Sequence, residues 1–173
     1  MLLKSAKSFL LALAFTLTGV VAPAAVHADA AGAALTREAQ AAITPAKALE
    51  MLKQGNERFV SGKSIERDYL AQVKHTSGGQ FPFAAVVSCL DSRIPPAIVF
   101  DRGIGDLFVA RVAGNFVNDD ILGSLEFATK LAGAKLILVM GHTECGAVKG
   151  ACDAAQLNLV TNQKSFPTLL RLK

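Results

Sequence analysis

Three short apolar runs punctuate the middle of the chain, each between stretches of different pattern. Phe83-Ala84-Ala85-Val86-Val87 is uninterrupted, residues 106–112 form a second run, and Lys135-Leu136-Ile137-Leu138-Val139-Met140 a third, ending at Gly141. Runs of this length read as strands buried on both faces. Thr44-Pro45 is a helix start, with a capping hydroxyl and proline at the first helical position. Ala48, Leu49, Leu52 and Phe59 then fall roughly on one face, which predicts an amphipathic helix over 45–60. Residues 62–80 are polar and predict irregular structure. Asp119 or Asp120 is expected to cap a helix carrying Ile121, Leu122, Leu125, Phe127, Ala128 and Leu131, closed by Gly133. Strands alternating with helices indicate an α/β domain: a mainly parallel β-sheet flanked by helices.

In such sheets ligands bind beyond the carboxyl ends of the strands. Ser88-Cys89-Leu90-Asp91-Ser92-Arg93 follows the first strand directly, and Gly141-His142-Thr143-Glu144-Cys145-Gly146 follows the third. Both polar clusters emerge where a site belongs.

The amino-terminal end has a different character. Residues 1–28 open with Lys4 and Lys7, run through an apolar stretch, and reach Val26-His27-Ala28. Small residues before a cut suit signal peptidase, so the expectation is a signal peptide over 1–28, cleaved after Ala28, and a periplasmic or secreted protein. The apolar run is short for a membrane span, and Pro23 follows it, so no stable membrane anchor is expected. Residues 29–43 are Ala-rich without an apolar period and read as a flexible lead-in to a single domain over 44–173. The net charge of +4 is modest, with no Lys/Arg run or aromatic-basic stripe, which argues against nucleic acid.

The chain carries three cysteines, Cys89, Cys145 and Cys152. An exported protein usually pairs its cysteines. Here two of them stand beside Asp and His in glycine-bearing loops, a context that suits metal thiolates better than a disulfide. Cys-x-Asp and His-x-x-Cys together supply two thiolates, an imidazole and a carboxylate, and zinc accepts all three donor types. Sulfur ligands argue against magnesium or calcium and point to zinc. The competing reading is a Cys89–Cys145 disulfide or two buried thiols. Cys152, on an expected helix, is read as neither ligand nor disulfide partner. Arg93 follows Cys89 too closely for a phosphate loop, and no C-x-x-C redox pair is present.

Cys89-Leu90-Asp91-Ser92-Arg93, Gly105-Asp106-Leu107-Phe108-Val109, Ala113-Gly114-Asn115, Ser124-Leu125-Glu126-Phe127 and the run from Met140 through Val148 resemble the β-carbonic anhydrase family, in order and at matching spacing. Gly55-Asn56-Glu57-Arg58-Phe59 is similar to the end of that family's N-terminal helical arm. The resemblance implies a zinc lyase interconverting carbon dioxide with bicarbonate and a proton, built as a homodimer or higher oligomer. It makes Cys89, His142 and Cys145 constant zinc ligands. Asp91 is then either the fourth ligand or, when paired to Arg93, displaced from the metal. Gln80, nine residues before Cys89, matches a glutamine that orients substrate across a subunit boundary. Gly114 is expected to let backbone approach the metal loop.

By its motifs the resemblance stops after Cys152, and residues 158–173 lack the helices and last strand that the family adds. The expectation is an incomplete C-terminal part, through divergence or a shifted reading frame, with all four candidate ligands kept. Two alternative functions follow: a zinc-binding but inactive relic, or a hydrolase of carbonyl sulfide or carbon disulfide using the same site.

Overall fold

The computed structural model describes residues 33–156. The elements are α1 (Arg37–Ala42), α2 (Pro45–Val60), α3 (Tyr69–Thr76), β1 (Ala84–Ser88), α4 (Pro96–Val99), β2 (Leu107–Arg111), α5 (Asp119–Glu126), β3 (Leu136–Met140) and α6 (Gly146–Gln156). A π-helical turn, Phe127–Leu131, continues α5. The expected signal peptide and the segment 158–173 lie outside the described residues.

The three predicted strands form one parallel sheet of order β2-β1-β3. As the central strand, β1 is buried at all five positions, which is why its sequence is continuously apolar rather than alternating. Its pleat divides the core. Ala84 faces Ile43, Ala48, Met51 and Leu52, with Leu136 and Leu138 against them, so α2 covers that side. Ala85 and Val87 face Leu125, Ala128 and Ala134, so α5 and its π turn cover the other. The result is a sheet flanked by helices, as the pattern predicts.

Several expectations need correction. The inner row of α2 is Ala48, Met51, Leu52 and Gly55, while Leu49 and Phe59 stay exposed. Asn118, not Asp119 or Asp120, caps α5: its Oδ1 accepts from the Ile121 amide at 3.0 Å, which leaves both aspartates in the first turn near the positive end of the dipole. The stretch 62–80 contains α3, capped by Asp68. The lead-in contains α1, capped by Thr36, and it is packed rather than free. Gln40 is buried there and donates to the carbonyls of Pro82 at 2.7 Å and Ala132 at 2.8 Å, tying α1 across the sheet end. Gly133 ends the α5 segment with φ +80°, a conformation that favours glycine. Among the described residues no helix is long and apolar enough to cross a membrane.

Candidate metal centre

β1 and β3 are neighbours in register, Ser88 opposite Met140, so the loops that follow them leave the same edge side by side. Cys89 follows β1 and is buried. His142 follows β3 by one glycine. Cys145 stands at the start of α6, its carbonyl accepting the first helical bond, from the Lys149 amide at 2.9 Å. The residue before it, Glu144, adopts φ +55°, so the loop turns sharply to bring Cys145 inward.

Donor atoms of Cys89, His142 and Cys145 lie within 4.8 Å of one another. The two sulfurs are 3.8 Å apart, and all three cysteines, including exposed Cys152, are free thiols. A tetrahedral ion bonded to sulfur at about 2.3 Å, the zinc–sulfur distance, sets two sulfurs about 3.8 Å apart. The imidazole is prepared in the same sense. His142 Nδ1 lies 2.8 Å from the Thr143 carbonyl, which can only accept, so Nδ1 carries the proton and Nε2 presents its lone pair. Nε2 is buried without a hydrogen-bond partner. An orphaned buried nitrogen beside two thiols is costly unless something binds it. The donor set therefore fits a metal ion.

Around the donors the chain adjusts charge. Burial pushes the Cys89 thiol up, but the Gly114 amide, the adjacent His142 ring, the Asp91 backbone and Cys145 outweigh it, leaving the thiol lowered to about 7. The Gly114 amide donates to Cys89 Sγ at 3.4 Å with Gly114 at φ +79°, so a glycine does let backbone reach this loop. The Cys89 thiol raises His142 above its ordinary value, against burial, with Thr143 and Asp91 adding to the rise.

The structure brings Asp91 to the centre without placing it among the three donors. Arg93 Nε donates to Oδ1 at 2.9 Å and Nη2 to Oδ2 at 2.8 Å, and the Arg93 amide adds a bond to Oδ1 at 2.9 Å. These bonds hold the Asp91 carboxyl well below the usual carboxylate range. Oδ2 is 3.8 Å from His142 Nε2. Arg93 Nη2 also reaches the Glu144 carbonyl at 3.4 Å, so one side chain links both ligand loops. A cleft of about 390 Å³, lined by His142, Glu144, Cys145, Gly146, Val148 and Lys149, opens onto two of the donors.

Gln80 is elsewhere. It is exposed on the loop before β1, whereas Cys89 follows β1. A five-residue strand spans about 16 Å, so the two stand at opposite ends of the sheet. Sequence reasoning missed Arg111, whose guanidinium donates to the Cys89 and Asp91 carbonyls, and the Thr143 carbonyl that fixes the His142 ring. Neither carries a spacing signal, because both act through main-chain oxygens.

A family model described as carbonic anhydrase matches residues 84–170, past Cys152, so the likeness extends further than its motifs. "Carbonic anhydrase 2" of Mycobacterium tuberculosis is 43% identical over 113 residues, covering 64% of this chain and 54% of the relative. "Beta carbonic anhydrase 1" of Caenorhabditis elegans is 31% identical over 98 residues, covering 49% and 36%. Among solved structures, the β-carbonic anhydrase CcaA is 28% identical with a TM-score of 0.49, covering 71% of this chain and 59% of that one. The chain spans about half the length of the curated relatives it matches. With half of its residues matched by the family model, and with two thiols and an imidazole converging at the sheet edge, the chain belongs to the carbonic anhydrase family, in its β class.

Proposed function

We propose that this chain catalyses the zinc-dependent, reversible hydration of carbon dioxide to bicarbonate and a proton. The observation that carries the reading is the convergence of Cys89 Sγ, His142 Nε2 and Cys145 Sγ while the neighbouring carboxylate is held by Arg93. Cys89, His142 and Cys145 would hold the zinc, with Asp91 as an alternative fourth ligand when released. Zinc held there supplies Lewis acidity that brings the ionisation of water near neutral pH.

The chain's own groups do the rest. Arg93 keeps Asp91 ionised and turned so that Oδ2 faces the donors. An ionised carboxylate only accepts hydrogen bonds, so Oδ2 is placed to hold a reacting water's proton and to fix its orientation. Burial of Cys89 and of His142 Nε2 excludes bulk water from the inner side of the centre. Gln80, on the loop before β1, stands at the opposite end of the strand from its own centre, so its substrate-orienting role requires a second copy, which fits a homodimer or larger oligomer. Residues 1–28 have the pattern of a cleaved signal, which supports export to the periplasm or beyond.

Stopped-flow measurement of carbon dioxide hydration on the purified, metal-quantified chain tests the reading. Hydration above the buffer rate, abolished by chelation and in Cys89→Ser, is expected. A zinc-replete chain with no rate above buffer overturns it and leaves the inactive relic. Hydrolysis of carbonyl sulfide or carbon disulfide without hydration leaves the hydrolase.

A further inference from the structure

Arg111 is the last residue of β2, and in the parallel register it stands opposite Ser88, one residue before Cys89. The ladder between β1 and β2 runs a step beyond the strands. The Val112 amide donates to the Ser88 carbonyl at 3.1 Å, and the Leu90 amide to the Val112 carbonyl at 3.2 Å. Past Leu90 the loop turns toward Asp91, whose carbonyl also accepts from the Ile94 amide at 3.3 Å. At that turn the side chain of Arg111 takes over from the backbone. Its Nε donates to the Cys89 carbonyl at 3.0 Å and its Nη2 to the Asp91 carbonyl.

One guanidinium therefore bridges the two carbonyls on either side of Leu90. These belong to the residue that carries the first sulfur donor and the residue that carries the adjacent carboxylate. A guanidinium is planar with fixed N–H directions, so binding two carbonyls sets two peptide planes at once. Setting those planes sets the directions in which the Cys89 and Asp91 side chains leave the backbone. Arg93 then aims the carboxylate and the Gly114 amide steadies the sulfur, both from a loop whose shape is already fixed.

We propose that Arg111 is a positioning residue for the metal centre, bridging the Cys89 and Asp91 carbonyls to hold the first ligand loop in its metal-binding shape. The inference rests on the metal reading proposed above. The hydrogen bonds of Arg111 go to main-chain carbonyls and not to a donor atom or the carboxylate, so it acts on them through the loop. Changing groups that orient metal ligands from outside the ligand shell typically weakens metal binding by about 10- to 100-fold.

The test compares the full chain with Arg111→Ala, Arg111→Gln and Arg111→Lys under reducing, oxygen-free conditions. Lysine keeps the charge but reaches one carbonyl at a time, which separates geometry from electrostatics. Zinc and cobalt(II) affinities are measured by chelator competition, cobalt absorption reports the ligand field, and thermal melting of the metal-free chain reports the fold. The expected result is a loss of affinity in Arg111→Ala of about 10- to 100-fold, with shifted cobalt d–d bands. Arg111→Lys and Arg111→Gln should recover only part of the loss, and metal-free melting should stay within a few degrees of the parent. Parent affinity and an unshifted spectrum in Arg111→Ala or in Arg111→Lys would overturn the inference. Lower melting with unchanged metal binding also overturns it, assigning Arg111 to fold stability alone. A parent chain whose cobalt complex lacks thiolate-to-metal bands sinks the metal reading itself, and this inference with it.

Discussion

Arg93 holds both oxygens of Asp91, at 2.9 and 2.8 Å, while Oδ2 of the same carboxylate stands 3.8 Å from the unpartnered Nε2 of His142. A carboxylate this close to three metal donors would ordinarily be counted with them. The guanidinium competes for it with a planar pair of charge-assisted bonds, which are about twice as strong as neutral ones. Because Nη2 also reaches the Glu144 carbonyl, freeing Asp91 would loosen the second ligand loop as well as the first.

Metal content gives the most direct check of the centre. The reduced chain should bind about one zinc, the capacity of a single tetrahedral site. Cys89→Ser, His142→Ala and Cys145→Ser should each lose most of it, since each removes one of three converging donors. Cys152 is exposed and takes no part, so thiol titration after chelation and denaturation should count three thiols. Full zinc in any two of the donor variants, or a single titratable thiol, would contradict the assignment.

Away from the centre, Asp101 gathers much of the buried charge. Arg58 Nε and Arg67 Nη1 each reach its carboxylate at 2.5 Å, and the Ile65 amide donates to both oxygens. Burial pushes this carboxyl up, but the bonds from Arg67, Arg58 and Ile65 outweigh it and hold it below its ordinary value. Asp101→Asn keeps a residue that tolerates the observed φ of +45° yet leaves two guanidiniums without their counter-charge. The expected cost at pH 7 is about 3 kcal/mol. A depressed folded value means the stabilisation is complete above the unfolded value of about 3.9 and is lost as pH falls through the folded one. Urea unfolding should therefore show the gap between parent and Asp101→Asn shrinking below about pH 4; a gap that stays constant into acid would contradict this account.

Two helical glycines should respond to alanine with opposite signs. A Cβ on Gly55, in α2, would meet the Phe100 carbonyl oxygen at 1.8 Å, where α2 crosses the end of α4. Helix propensity favours alanine by about 1 kcal/mol, but forcing these backbones apart costs about 1–3 kcal/mol or more, and so close an approach belongs at the upper end. Gly55→Ala should be destabilised by about 2 kcal/mol. Gly123, in α5, has nothing within 4 Å of its would-be Cβ, so Gly123→Ala should gain roughly 0.5–1 kcal/mol. Chemical denaturation of the pair decides it, and matching signs would refute the packing argument.

The central strand and both ligand loops were legible because burial on two faces forces a continuous apolar run in β1, and because Cys, His and Asp cluster where the runs end. By contrast β2 and β3, expected to be buried on both faces, leave Val109, Ile137 and Val139 exposed. The α3 helix was not legible, since its apolar residues Tyr69, Leu70 and Val73 are exposed and its buried residue is Gln72. A polar side chain in a core contact reverses the signal that periodicity relies on. The same holds for α1, where Gln40 makes the long-range bonds. Choosing Asn118 over Asp119 and Asp120 as the cap requires knowing which of three adjacent polar residues has extended backbone, and composition does not encode that. The bonds of Arg111 to carbonyls some twenty residues earlier leave no trace in spacing at all.

The pair Asp91 and Arg93 supports the sharpest prediction. If Arg93 keeps the carboxylate away from the metal, Arg93→Ala should release Asp91 to close onto it. That variant should keep its zinc, because three donors remain and a fourth is added, but hydrate carbon dioxide slowly. Asp91→Ala should also keep zinc through Cys89, His142 and Cys145, yet lose the acceptor that orients the reacting water. General acid–base contacts of this kind contribute about 100-fold or more, so both variants should fall by at least that order. Slow rates alone would not separate the two causes, and the metal's surroundings do. X-ray absorption should find a carboxylate oxygen on zinc in Arg93→Ala and none in Asp91→Ala. Hydration at the parent rate in Arg93→Ala would mean that the arginine is only a surface partner. An identical zinc environment in both variants would mean that Asp91 never reaches the metal.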